Sequence, residues 1–422
     1  MEQNAFQPAD ILLFNGSDKT AFAAVACDQY TSEPEYWQRV AERTNNLPSA
    51  FHLIFPEAFL KTADFDATIS GINASMECYL QRGLFSEASG CFVYVERTQR
   101  NGKIRRGLVG KIDLEQYDYE KGSASAVRAT EGTVLERIPP RVRIRQDAPL
   151  ELPHVMLLID DREQTVIEPL AGYKSALIPA YSFPLMEDSG HLDGWILPPD
   201  ACESVVRALD TLGTPESFSA RYGKAAECAF PYAVGDGNHS LATARKCYLN
   251  LKEQIGVAEA LCHPARYALV ELVNLHDDAL EFEAIHRLVC GVNPRELFDA
   301  LEQRFQLSRS HTAEGQTMTA VYGGNEEELT ILDPSRTLAV GTLQEFLDDY
   351  LSAHPGEIDY IHGEDVVRSL SSRPDTIGFL LPCMDKNDLF RTVILDGALP
   401  RKTFSMGEAC DKRFYFEARK IR

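Results

Sequence analysis

The sequence has 422 residues, 44% of them hydrophobic and 25% charged, with a formal net charge of −21 from 42 basic and 63 acidic side chains. That length exceeds what a single hydrophobic core supports, so two or three domains are expected, and the composition is that of a globular chain. The charge argues against a general nucleic-acid binder, because affinity for a phosphate backbone needs a basic surface.

No stretch approaches the length of unbroken apolar residues that a membrane span needs, so none is expected. The first residues, MEQNAFQPADILLF, lack the basic start and apolar centre of a secretory signal, and a cytoplasmic protein is expected. Ten cysteines, at 27, 78, 91, 202, 228, 247, 262, 290, 383 and 410, form no CxxC and no zinc spacing. They read as free thiols in a reduced compartment.

In chain order, Phe22 to Cys27 reads as a buried strand that delivers Asp28 and Tyr30 into a loop. Glu33-Pro34 then opens a helix through Trp37 and Val40. A helix is expected from about Ile69 to Gly83. Cys91 to Thr98 and Lys103 to Asp113 alternate around Asn101-Gly102, the signature of a β-hairpin. Residues 128–145 hold five arginines, at 128, 137, 141, 143 and 145, in an otherwise acidic chain. Such a cluster either grips phosphate or carboxylate or pairs with the acidic surround. Pro139-Pro140 within it argues against a continuous helix. Arg128 and Glu131, in a run of small residues, are the candidates for a ligand.

A second hairpin is expected from His154 to Ile159 and Thr165 to Glu168, around Asp160-Asp161, followed by a loop-rich stretch from Tyr173 to Asp193. Helices are expected at about Asp200 to Leu212 and Pro215 to Cys228. Tyr267 to Leu275, YALVELVNL, reads as a central strand, and EFEAIHRLV after it sets His286 beside Arg287. Beyond residue 295 the pattern gives helix, two strands and helix. A strand at Ile358 to Ile361 then ends in His362-Gly363-Glu364-Asp365 before another helix. Ile377 to Leu381 reads as a buried strand, Asp385 to Leu395 as a helix, and Phe414 to Ala418 as the last strand. The regions expected are 1–150, 151–292 and 293–422, within an α/β fold.

The stretch that carries most chemistry is FPYAVGDGNHSLATARKCY, 230–248. It reads as a strand, Tyr232 to Val234, a turn at Gly235-Asp236-Gly237, and a helix from Asn238. The glycines permit positive φ and close approach to a ligand. Asp236, Asn238 and Ser240 favour helix starts. A helix start offers unpaired amides and the positive end of the dipole, a natural seat for phosphate. His239, in the first turn, stands where a proton donor would be useful.

At GDGNHSLATA the chain resembles the bacterial family known as domain of unknown function 1015. The resemblance extends to ACDQYTS at 26–32, RATEGT at 128–133, AIHRLV at 284–289, IDYIHG at 358–363 and LPRKTFSMG at 399–407. The family's usual motif, Asp-Gly-His-His-Arg, stands here as Asp236-Gly237-Asn238-His239-Ser240, so Ser240 replaces the arginine. The motif is in turn similar to the phosphate-binding turn of the ParB/sulfiredoxin-like fold, some members of which phosphorylate free serine. The resemblance implies a ParB/sulfiredoxin-like core with added strands and helices. It also implies phosphoryl chemistry on a small hydroxylated metabolite, serine or phosphoserine first, with a nucleotide (ADP or ATP) and Mg²⁺.

In that reading Gly237, Asn238 and Ser240 hold the phosphate, with Arg128, Glu131 and His362 as further binding candidates. Arg287 or Lys402 neutralises the phosphate charge. His239 or His286 is the acid, base or nucleophile, and Asp236 or Asp28 orients it or binds Mg²⁺. The partner is a small phosphorylated molecule, with neither nucleic acid nor membrane. The alternative is a non-catalytic protein that senses a nucleotide or amino acid through the same pocket.

Overall fold

The structure, a computed structural model, describes residues 4–133, 135–223, 229–309 and 315–422. It is a mixed α/β protein in two compact units. The first comprises Met1–Leu280 together with Glu408–Arg422, and the second Glu281–Gly407.

The first unit is built on a ten-stranded sheet. Tyr267–Asn274 lies near its middle, antiparallel to Ile104–Asp113 and parallel to Val155–Ile159. All of this strand after Tyr267 is buried, as expected for aliphatic residues pointing to both faces. On one side the sheet continues through the hairpin Val93–Thr98/Ile104–Asp113, whose turn places Gly102 at φ +81°. On the other side Val155–Ile159 pairs antiparallel with Tyr232–Asp236, which runs parallel to Val127–Ala129. Leu157, Leu272, Tyr232 and Leu241 join one core. A smaller sheet, with Ala9–Phe14 beside Glu417–Lys420, and the pair Ala24–Val25/Phe414–Tyr415 share a second core around Phe22, Trp37 and Phe416.

The second unit has a seven-stranded sheet in which Phe282–Cys290 pairs with Glu357–His362, Thr376–Leu380 and Phe404–Met406. The helices Pro294–Arg304 and Ala339–Ala353 contribute Leu297, Leu301, Leu343 and Leu347 to its core.

Several local expectations are corrected. The segment 165–168 is not a strand: Asp161 Oδ2 takes the amides of Thr165 and Val166 at 2.7 and 2.8 Å, and this turn replaces a hairpin. Val155–Ile159 pairs instead with distant strands. The stretch from Tyr173 holds two strands, Ile178–Pro184 and His191–Ile196. Residues 22–27 are split between a helical turn, Lys19–Phe22, and the short strand Ala24–Val25. Pro139 and Pro140 sit in the first turn of a helix, Ile138–Arg145, where a missing amide is tolerated. The helix from Pro215 runs to Tyr222, and its expected end at Cys228 lies outside the described residues. Among the described residues no helix is long and apolar enough to cross a membrane, and all nine described cysteines are free.

Candidate functional site

The strand Tyr232–Asp236 is buried through Val234 and surfaces at its carboxyl end. Gly237 follows at φ +81°, ψ 26° and starts the 18-residue helix Asn238–Ile255. A Cβ at Gly237 would stand 3.0 Å from His154 Cδ2 and 3.1 Å from Val155 Cα, so both backbone conformation and space require glycine. The Gly237 amide donates to Asp236 Oδ1 at 2.9 Å. The residue before the first helical turn is Gly237, which has no side chain with which to cap it, and the positive end of the helix dipole lies at this turn. The Thr130 amide donates to Asn238 Oδ1 at 3.3 Å and Thr130 Oγ1 to Val234 O at 2.5 Å, joining the turn to the end of Val127–Ala129. Two parallel strands therefore bring their carboxyl ends together, the position where α/β sheets hold ligands. Lys412 Nζ lies 3.3 Å from Asp236 Oδ2.

Against Gly237 stands a chain of four side chains. His154 Nε2 meets Asp28 Oδ2 at 3.2 Å and its Nδ1 meets Tyr415 Oη at 2.5 Å. The Tyr415 hydroxyl lies 3.4 Å from Cys27 Sγ and accepts the Cys27 amide at 3.2 Å. Burial opposes charge on both His154 and Asp28. The oxygens of Tyr415 and Asp28 beside His154 override it and raise the imidazole well above 6.5, while His154, with Gln29 and Lys412, lowers Asp28 below the ordinary carboxylate range. Burial pushes the Tyr415 phenol up, so it stays neutral. With an imidazolium both ring nitrogens donate, one to Asp28 and one to Tyr415, and the phenol passes its proton on toward Cys27.

A cavity of about 160 Å³ adjoins this group, bordered by His154, Tyr415, Cys27, Ser240 and Thr243. Thr243 Oγ1 donates to His239 O at 2.7 Å, and His239 itself is half-buried in the first helical turn. Arg128 is buried, donates from Nε to Ser125 O at 3.0 Å, and stacks 4.4 Å over Phe230. Glu131 follows three residues on, half-buried. Three other arginines of that cluster pair with carboxylates: Arg141 with Glu57, Arg143 with Asp66 and Arg145 with Glu151.

Four expected site residues belong to the second unit. His286 is buried, and its Nδ1 accepts the Leu381 amide at 3.1 Å. Burial lowers its pKa and favours the neutral ring. Arg287 is fully buried and donates to Gln344 Oε1 and to the carbonyls of Ile285, Arg401 and Lys402 at 2.8–3.0 Å, fastening the 400–403 turn to its strand. Lys402 is exposed at φ +55°, and His362 ends a strand opposite Ile285. Asp28, Arg128, Glu131 and the residues 236–240 are all in the first unit.

His154, Tyr415, Lys412 and Cys27 are the residues that sequence reasoning did not single out for the site. Their partners lie up to 388 positions away, and no local spacing marks them. Among the described residues no group of three or more His, Cys, Asp or Glu is arranged to hold a metal ion. Any Mg²⁺ here would rely on one or two carboxylates and on ligand oxygens, as Mg²⁺ commonly does.

The fold is that of a mixed α/β protein, with the 235–240 turn at the carboxyl ends of two parallel strands. Residues 7–350 match the family described as "Protein of unknown function (DUF1015)", and the chain belongs to that family. No curated protein matches the chain. Among solved structures it is similar to a free serine kinase in complex with AMP, at 12% identity and a TM-score of 0.38, covering 74% of this chain and 91% of that one. It is also similar to SbnI with a C-terminal truncation from Staphylococcus aureus, at 10% identity and TM-score 0.35, covering 71% and 83%. A third is a conserved hypothetical protein from Pyrococcus furiosus, at 10% identity and TM-score 0.36, covering 74% and 94%.

Proposed function

We propose that the protein seats the phosphate of a small ligand on the Gly237–Ser240 turn and transfers that phosphoryl group between the hydroxyl of a small metabolite and either water or a nucleoside diphosphate. The observation that carries this is the helix start at Gly237, packed against a charged His154 and with Lys412 at 3.3 Å from Asp236. The ParB/sulfiredoxin-like reading of the motif agrees with a phosphate at this place. Phosphoryl transfer asks mainly for positioning and charge stabilisation, which first-turn amides and a lysine supply. Ser240 has no charge to offer, and Lys412 takes the neutralising role. Arg287 and Lys402 are not given it, since Arg287 is committed to carbonyls of its own unit.

When the P–O bond to the metabolite breaks, its oxygen takes a proton from the Tyr415 hydroxyl, which His154 Nδ1 replaces, and the phosphoryl group passes to water or to a terminal oxygen of ADP. Asp28 holds the imidazole in register. His239, on the helix itself, is the second imidazole placed to shuttle a proton. Asp236 and Asp28 are the carboxylates that would hold Mg²⁺ with phosphate oxygens.

The test is ³¹P NMR of the full chain with small phosphate monoesters, L-phosphoserine among them, and Mg²⁺, with and without ADP, beside His154→Gln. Inorganic phosphate or ATP should form with the parent protein and fall by about a hundredfold in the variant, the usual scale for a lost acid. Binding of the ester without turnover would make the protein a sensor. Absence of any phosphate binding would refute the seat itself.

A further inference from the structure

The cavity beside the turn is lined by residues of two kinds. Ser240 and His154 also border the phosphate seat. Leu53, Ile54, Leu60, Met76, Ile144 and Leu150, most of them buried, supply apolar surface. Two guanidiniums reach the cavity, and each is matched to a carboxylate that also lines it: Arg141 to Glu57 and Arg145 to Glu151. Glu151 is held further by Arg419 and by the Leu269 amide at 2.9 Å. These pairs bring no net charge to the cavity. A charged group entering it would have to displace one member of a half-buried pair and leave the other exposed to the apolar wall, which is unfavourable. An apolar cavity of about 150 Å³ accepts a benzene-sized molecule, and this one has about 160 Å³.

We infer that the cavity takes an uncharged, largely apolar body, so that the ligand is the monophosphate of a short branched or cyclic alcohol rather than of a zwitterionic amino acid. This rests on the functional reading for the position of the phosphate and adds the chemistry of what the phosphate is attached to.

The test titrates the full chain, by calorimetry, with inorganic phosphate, O-phospho-L-serine, 3-methylbutyl phosphate and 3-methylbutanol. Each buried methylene adds about fourfold in affinity. With about three to four of its five carbons buried, 3-methylbutyl phosphate should therefore bind about a hundredfold tighter than inorganic phosphate, and at least about tenfold tighter than phosphoserine. Two variants that shrink the cavity, Leu60→Phe and Ala148→Leu, should each cut the ratio of 3-methylbutyl phosphate to inorganic phosphate affinity by about tenfold. Either alone suffices if the other does not fold. Phosphoserine binding as tightly as 3-methylbutyl phosphate, or a ratio unmoved by both variants, overturns the inference and leaves the phosphate seat standing. Failure of all three phosphate-bearing probes while the alcohol binds overturns the seat and the inferred ligand together.

Discussion

Replacing Arg413 by methionine should destabilise the first unit more than any surface change. Its guanidinium is 4% exposed and lies between two carboxylates, Glu271 at 2.5 Å and Glu417, that are 1% and 0% exposed. Arg105 reaches Glu271 only at 3.6 Å, and Glu417 otherwise takes a hydrogen bond from Tyr181. Burial alone would raise the Glu271 pKa, yet Arg413 and Arg105 hold it below its ordinary value, so the carboxylate is charged and depends on them. Removing one member of such a group leaves a buried uncompensated charge, at a cost of about 3–5 kcal/mol. The effect should spread to the site. Arg413 O accepts the Ala26 amide at 2.9 Å, and the next two residues pair with Ala24–Val25, which precede Cys27 and Asp28.

The assay is urea unfolding followed by fluorescence, with phosphate titration alongside. The double variant Arg413→Met/Glu417→Gln removes one of the two orphaned charges and should recover about 1–2 kcal/mol of the loss. A single variant that loses under about 1 kcal/mol, or a double variant worse than the single, would refute the account of these groups as one charge-matched cluster.

Gly237→Ala should cost about 1–2 kcal/mol from its left-handed backbone alone. The new methyl, 3.0 Å from His154, should also weaken phosphate binding, as thermal melts and titration will show. Lys412→Met should lower phosphate affinity by about tenfold or more, the scale of one charge-assisted hydrogen bond, and an unchanged affinity would remove Lys412 from the seat. The pH profile follows from the raised His154 and depressed Asp28. The His154 contribution is complete below its unfolded value of about 6.5 and is lost as pH rises through the folded value. The Asp28 contribution is present above about 3.9 and is lost as pH falls toward its folded value. Stability from the pair should be fullest between those limits, and His154→Gln should flatten the decline above them. Parallel profiles for both proteins over about pH 5 to 9 would contradict the pairing.

Where residues decide structure by their immediate neighbours, the sequence reveals it. Asn101-Gly102 marks its hairpin, and the small-residue turn at 235–237 marks the strand–helix junction, because turn and helix-start preferences are local. The apolar run at Tyr267 announces a central strand through burial on both faces. Elsewhere local signals mislead. Thr165 to Glu168 has strand-like composition, but Asp161 captures two of its amides. The stretch from Tyr173 to Asp193 reads as loop-rich, yet it holds paired strands, and Gly194 beside it is needed because Tyr181 packs against it from the neighbouring strand. At the site, Asp28 and residues 236–240 are visible from sequence as candidates. The imidazole and phenol that face them are not, since a 126-residue and a 388-residue separation carry no periodicity.

The second unit is inserted into the first, whose last strands come from Glu408–Arg422. During synthesis the order of completion is thus reversed: Glu281–Gly407 has all of its residues while the first unit still lacks Lys412, Arg413, Tyr415 and the strand Glu417–Lys420. Asp236 must wait for Lys412, and Glu271 for the nearer of its two arginines, until the ribosome has read past residue 413. A nascent chain halted inside the inserted unit would hold residues 237–240 but not Lys412, so the phosphate binding proposed for this turn would require translation beyond the insert.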